Sequence, residues 1–569
     1  MKKFSVSSRK FRYGGVTAIL TALIIAVVII VNVIFSMLSQ RFTWYVDMTP
    51  DLLYTLSDES KALLRDGDSK FDTVSPIEMV DNIREQNKES NEAEGLSEGD
   101  EGYLDEDVMI NIIFCDDADT VQENASQRYV YNTALELQTE FPDHINVINY
   151  NIIRNPSAVS KYKTTSNSTI ATTSVIVEFG TEFRLYNIKS FFTFDDAESE
   201  EPWAYNGEKK FISGILAVTR AESPIACITT NHGEVFPDYS LVETLVDAGY
   251  LIEELNLETD DIPDDCRLIV VFNPTEDFLI NDGTSGSDID EIEKLDAFLD
   301  QTNSLMVFMS PDTPVDLPYF EGYLEEWGIK FNKETDANSI YPHMIKEAPS
   351  HAISNDGYSI VGEYADYGLG GSVTEEMRSS GYPKRVIFPR AMSISYTFDP
   401  AHYADEEDST NQFDYGSYYS NGVSRAIYDV FVTSENAVAH AGGKEIEAAT
   451  ESNPLKLMTL SVENRSTQES NYTSIDENSY VLACGSTSFA SSTYLDSASY
   501  GNTDLLLSAC RAIGKEPVPV GLEPKPFADY DIDGITTAES TQYTIVLTVI
   551  PALIAIVAGA IVLIRRKNR

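Results

Sequence analysis

The residues with the clearest chemical potential are His232, Gly233 and Glu234, which follow the apolar run 225–228 and precede a helical pattern from Tyr239. In open α/β sheets ligands sit beyond the carboxyl ends of strands, and a helix start adds partial positive charge. These three residues, with Asn273 after the apolar run 267–272, form the candidate ligand site. The same turn admits a purely local reading, in which Gly233 supplies a positive φ and its polar neighbours cap the helix. Catalytic chemistry finds less support. The third apolar run ends in Asn273-Pro274, where a nucleophile elbow would need Ser or Cys on a G-x-[SC]-x-G turn. Cys227 and Cys266 fall within or beside apolar runs and read as core thiols, whereas Cys484, before Gly485-Ser486, could be exposed. Asp529, Asp531 and Asp533 open like a calcium loop and are the candidate metal ligands, but the twelfth position is Ser540 rather than a bidentate Glu. The six histidines are scattered, with no H-E-x-x-H, and Gly442-Gly443-Lys444-Glu445 lacks the phosphate-loop spacing. Asp116, Asp117 and Asp119 read as a solvated loop. No catalytic residue and no cofactor is assigned.

The elements that must position these residues alternate. Strands are expected at 225–228, 251–257, 267–272 and 304–309, with helices over 239–249 and 288–299. Near-continuous apolar strands between helices imply a sheet buried on both faces. Upstream, strands at 108–114, 145–150, 173–179 and 183–188 surround a helix at 126–141, an order that looks thioredoxin-like, although Cys115 stands without a C-x-x-C partner. Residues 209–220 read as a helix leading into the central domain. The stretch 66–107 loses periodicity, and its acidic part, 85–102, reads as a disordered insertion or linker. Residues 355–381, rich in Tyr, Gly and Ser, read as irregular, and 403–419 as a surface loop.

Charge and hydropathy set the frame. The chain of 569 residues has 40 basic and 91 acidic residues, a formal charge of −51. Nine basic residues lie in the two tails, so the body between carries 31 basic against 91 acidic residues, −60. Such a body excludes nucleic acid and an anionic bilayer surface as partners. Residues 16–38 and 543–564 are uncharged runs of 23 and 22 residues, each long enough to span a bilayer. Both basic clusters lie on their terminal sides, which puts both tails in the cytoplasm and residues 39–542 outside. Asn32, a polar residue inside the first run, is the candidate contact with another membrane helix.

The fold class expected is therefore α/β, in a two-helix membrane-anchored protein. A cytoplasmic basic tail (1–12) and a first span (13–38) lead to a juxtamembrane helix and acidic insertion (39–107). A thioredoxin-like domain (108–220) precedes a doubly wound, flavodoxin- or amidotransferase-like main domain (221–516). A proline-rich linker (517–542), a second span (543–564) and a basic tail (565–569) complete the chain.

Three stretches carry a resemblance. The first is ITTNHGEVFPDYSLVETLVDAGYLIEELNL, residues 228–257, with the units that follow it up to Pro311. The second is Leu53-Tyr54-Thr55-Leu56-Ser57, and the third runs from Cys484-Gly485-Ser486 to Asn502-Thr503-Asp504-Leu505. In order and spacing they resemble the GldG-like auxiliary proteins of ABC transporters, some of which are associated with gliding motility. The resemblance implies a non-catalytic subunit that binds or guides transported material or braces the permease. It also implies an ABC permease and a cytoplasmic ABC ATPase as partners. The alternative is an extracytoplasmic enzyme with a degenerate hydrolase- or amidotransferase-like core.

Overall fold

The computed structural model describes residues 23, 26–31, 52–68, 73–163, 170–194, 201–220, 223–235, 237–281, 288–336, 339–379, 383–397, 417–420, 423–470, 473–497, 499–514, 517–519, 521–522, 524–527 and 564–565. The chain divides into two units, 1–525 and 526–569, and everything below concerns the first. Among the described residues no helix is long and apolar enough to cross a membrane. The uncharged runs fall almost wholly outside them, as do Asn32, Asp529, Asp531 and Asp533.

The protein is a mixed α/β structure. Its first lobe opens with helices α1 (Asp58–Asp66) and α2 (Pro76–Glu94) and continues through β1 (Ile110–Phe114), α3 (Ala125–Glu140), β2 (Ile145–Asn149), β3 (Ser174–Phe179) and β4 (Glu182–Asn187). The sheet order is β2-β1-β3-β4, with β1 parallel to β2 and antiparallel to β3, and β3 antiparallel to β4. Ile113, Cys115, Tyr162 and Ile176 form a small core in this lobe. Helix α4 (Gly207–Val218) follows, and all twelve of its residues are buried, Glu208, Lys209 and Lys210 included. Gly214 lets it lie close to the lobe: a Cβ there would stand 3.0 Å from Tyr186 Oη and 3.3 Å from Val177.

The second lobe is built on β5 (Ile225–Thr229), α5 (Tyr239–Asp247), β6 (Leu251–Leu255), β7 (Cys266–Phe272), α6 (Glu291–Leu299), β8 (Ser304–Phe308) and α7 (Pro318–Glu326). Helix α8 (Gly368–Ser379) and strands β9 (Val423–Val432), β10 (Lys456–Ser470) and β11 (Thr473–Cys484) follow, and α9 (Asn502–Gly514) closes the lobe. Strands β6-β5-β7-β8-β11 lie side by side and are all parallel, and β10 and β9 extend the sheet antiparallel. Strand periodicity sorts the side chains onto two faces. Ala226, Ile228, Leu268, Val270, Met306 and Leu482 meet Leu241 and Leu245 of α5 and Leu505 and Leu506 of α9. Cys227, Ile269, Val271, Leu305, Val307 and Val481 meet Leu295 and Phe298 of α6 and Phe320 and Leu324 of α7. Burial on both faces is why β5, β7, β8 and β11 read as continuous apolar runs, whereas β6, LIEEL at the sheet edge, is mostly exposed.

Several regions depart from expectation. Residues 76–94, expected as aperiodic chain, form α2, a 19-residue helix. The Ser75 side chain caps its first turn, Pro76 starts it, and Gly95 ends it at φ 69. Residues 368–379 form α8 despite their glycines, because the helix presses on β9: a Cβ at Gly370 would stand 1.8 Å from the Asp429 carbonyl oxygen. Residues 417–420 are a strand paired with β9 rather than surface loop. Gly442 and Gly443, at φ 56 and 77, turn the hairpin between Val438–Ala441 and Lys444–Ala448.

Candidate functional site

The His232 turn lies where the strand order reverses between β5 and β7, the place where open α/β sheets carry their crevice. Gly233 adopts φ 68, and a Cβ there would stand 2.3 Å from Thr275 Oγ1, so the turn requires glycine. The backbone amides of Thr275 and Glu276 donate to the His232 carbonyl, joining the turn to the loop after β7. Asp238, not His232 or Glu234, caps α5, accepting from Ser240 N.

His232 is 2% exposed. Its Nδ1 lies 3.1 Å from Glu234 Oε1 and its Nε2 2.9 Å from Glu291 Oε2. Glu291, the first residue of α6, also accepts from Leu279 N at 2.7 Å and from Asn231 Nδ2 at 2.7 Å. The imidazole stacks on Phe278 with centroids 3.6 Å apart, and Phe278 stacks on Phe320 at 4.3 Å. Burial alone would lower the imidazole pKa, but the hydrogen bonds and charges of Glu234 and Glu291 outweigh it and lift it to about 9. Burial likewise pushes both carboxyls up, and His232 more than reverses this, holding them below their ordinary range. At neutral pH the group is an imidazolium clamped between two carboxylates, with its donors used internally. Asn273 stands at φ 54 and is also occupied: Nδ2 donates to Thr313 Oγ1 at 2.9 Å, and Oδ1 accepts from Ser310 N at 3.2 Å.

A second charged group lies where α4 meets α5 and α9, lining an open cleft of about 440 Å³. Lys210 Nζ lies 2.7 Å from Glu243 Oε1 and 2.9 Å from each carboxylate oxygen of Asp247. Burial opposes its charge, but Asp247 and Glu243 raise its pKa above the usual lysine value. Lys209, 4% exposed, has an ion pair of 3.6 Å to Asp504 Oδ1, while the other oxygen of Asp504 accepts from Lys384 Nζ at 3.0 Å. Burial lowers the Lys209 pKa, whereas the two lysines hold Asp504 below the carboxylate range against its own burial. Asp496, on the opposite wall, accepts from Ser240 Oγ at 3.0 Å, and its carboxyl is pushed up to about 6 by partial enclosure, with Glu243 and Asp238 adding to the effect.

The structure thus brings His232, Gly233 and Glu234 together and adds Glu291 and Phe278, which lie dozens of residues away. All five cysteines are free and buried. Cys484, whose exposure the sequence left open, points inside with its pKa pushed up to about 12 by burial. Asp117 pairs with Asn151 Nδ2 at 2.6 Å and Arg154 at 3.6 Å, and among the described residues no group of three or more His, Cys, Asp or Glu could hold a metal ion. The cleft lysines were legible only as the start of a helix, because their partners come from α5, α9 and Lys384.

No family model and no curated protein matches the sequence. Among solved structures, one chain of the structure of PurLQS from Thermotoga maritima aligns with 50% of this chain and 97% of its own length, at 11% identity and a TM-score of 0.23, a likeness too slight to carry an argument.

Proposed function

We propose that this chain is a non-catalytic auxiliary subunit of an ABC transport system, similar to the GldG-like family, and that its acidic body works outside the membrane. The observation that carries this reading is the placement of a body of net charge −60 between two uncharged runs whose basic flanks lie on their outer sides. In this reading the first lobe is a thioredoxin-like module, consistent with its β2-β1-β3-β4 order, and the second a doubly wound, flavodoxin- or amidotransferase-like module. The strand ends support a binding or bracing role over hydrolysis. Asn273-Pro274 stands at the elbow position, and the histidine nearest the crevice is committed to two buried carboxylates. The body would contact a permease and reach exported material, while a separate cytoplasmic ATPase supplies the energy.

The test is affinity isolation of the tagged full chain from gently solubilised membranes. Co-purification of a multi-span permease and an ABC ATPase is the expected result. Recovery of the chain without either would remove the auxiliary reading and favour the extracytoplasmic enzyme.

A further inference from the structure

We propose that the cleft between the lobes binds a neutral saccharide, whose hydroxyls meet carboxylate oxygens of the wall and whose ring lies on Tyr239. The inference rests on the cleft alone and holds whether or not the chain serves a transporter.

Helix α5 puts two kinds of surface on one face. Tyr239, Glu243 and Asp247 succeed one another at steps of four, so they stand in a row along the helix, and all three line the cleft. Lys210 lies 2.7 Å from Glu243 Oε1 and 2.9 Å from Asp247, and Asp504 meets Lys209 at 3.6 Å and Lys384 at 3.0 Å. The described lining holds four lysines and four carboxylates, so its charge is balanced. Acceptor capacity remains all the same. Lys210 engages one oxygen of Glu243 and Ser240 Oγ one oxygen of Asp496, and among the described residues no hydrogen bond reaches the other oxygen of either. Tyr239 is an independent observation. It is 73% exposed while lining the cavity, so it offers a ring surface to the cleft and to water. A ligand with an apolar face gains by covering that ring.

The balance of charge and this mixture of surfaces select the ligand. An anion or a cation would add an unmatched charge to a lining whose lysines and carboxylates already pair. An apolar molecule would strip water from those groups and return no hydrogen bonds. A hydroxyl both donates and accepts, so several on one ring can serve the spare carboxylate oxygens without dividing an ion pair. The C–H face of a pyranose supplies the apolar surface for Tyr239. A cavity of about 440 Å³ is in the range of small-molecule sites.

The test is saturation-transfer NMR on the full chain in lipid nanodiscs, which avoids sugar-headed detergents. The probes are glucose, galactose and N-acetylglucosamine, with pyruvate, ethanolamine and glycine as anionic, cationic and zwitterionic contrasts. At least one sugar is expected to give saturable transfer that no contrast matches, strongest at the C–H protons of one ring face. Tyr239→Ala, at an exposed position, is expected to leave the thermal midpoint unchanged and weaken binding by about twofold to tenfold, the range of an aromatic contact. Tyr239→Trp is expected to restore it. Absence of saturable transfer with all three sugars would overturn the proposal. So would an equal response to any contrast, or sugar binding unchanged in Tyr239→Ala.

Discussion

Two buried charged clusters of this protein stand in contrast. At the His232 turn, one imidazolium meets two carboxylates and an aromatic face, the Asn231 amide donates to Glu291, and the histidine is closed off from solvent. At the cleft, Lys210 is equally well paired, while among the described residues the ion pair of Lys209 with Asp504 is longer, 3.6 Å, and both line an open cavity. A buried charge by itself therefore says little about function. What separates the two places is enclosure: the turn is sealed by short contacts, whereas the cleft pairs its charges beside an open cavity. The turn, which holds the position a ligand would take in many sheets of this kind, is closed by its own side chains. The cleft, which no motif marks, pairs its charges and stays open.

The largest expected effect breaks the closed cluster. His232→Ala leaves Glu234 and Glu291 buried with no cation and should cost about 3–5 kcal/mol, measured by chemical denaturation of the full chain. A loss under about 1 kcal/mol would mean the turn is not the lock described here. The pH profile gives a comparable effect without mutation. Because the folded-state pKa of His232 is raised to about 9, its contribution is fully present below the unfolded value of about 6.5 and is lost as pH rises through 9. That contribution is about 3 kcal/mol, so the wild-type protein should lose stability between about pH 7 and 10 more steeply than His232→Gln.

The next effect is smaller and geometric. Gly233→Ala meets both a positive φ and the Thr275 hydroxyl, and should cost about 1–3 kcal/mol. Adding Thr275→Ala should return part of that loss, the clash, and leave the part due to backbone strain. Recovery of the whole loss would show that strain contributes nothing. The smallest effect is expected at the open cluster. Lys209→Met leaves Asp504 paired with Lys384 and should change stability by less than about 1 kcal/mol, in either direction. A loss near that of His232→Ala would erase the contrast between the two clusters.

How much of this was legible follows the range of the interactions. The inner parallel strands were readable because burial on both faces leaves a local mark, four or five apolar residues in a row, while β6 at the edge showed only apolar residues mixed with acidic ones. Gly233 was readable as a positive-φ glycine, since a turn between strand and helix is a local event. Helix α2 was missed although Ser75-Pro76 is a start signal, because its exposed face is acidic and only Pro76, Val80 and Asn91 are buried. Helix α8 was missed because its glycines serve a close approach to β9, which local propensity cannot represent. Neither cluster could be assembled from sequence: Glu291 lies 59 residues from His232, and Asp504 reaches Lys209 only through the packing of α9 beside α4.

The central claim, a body held outside the membrane by two spans, is most directly tested by cysteine labelling on intact cells. The five native cysteines are all buried, so the unmodified protein should give little background with an impermeant maleimide. Tyr45→Cys and Tyr530→Cys should label on intact cells, whereas Ser5→Cys and Asn568→Cys should label only after the membrane is opened. Labelling of the tails on intact cells, or protection of residues 45 and 530, would contradict the claim.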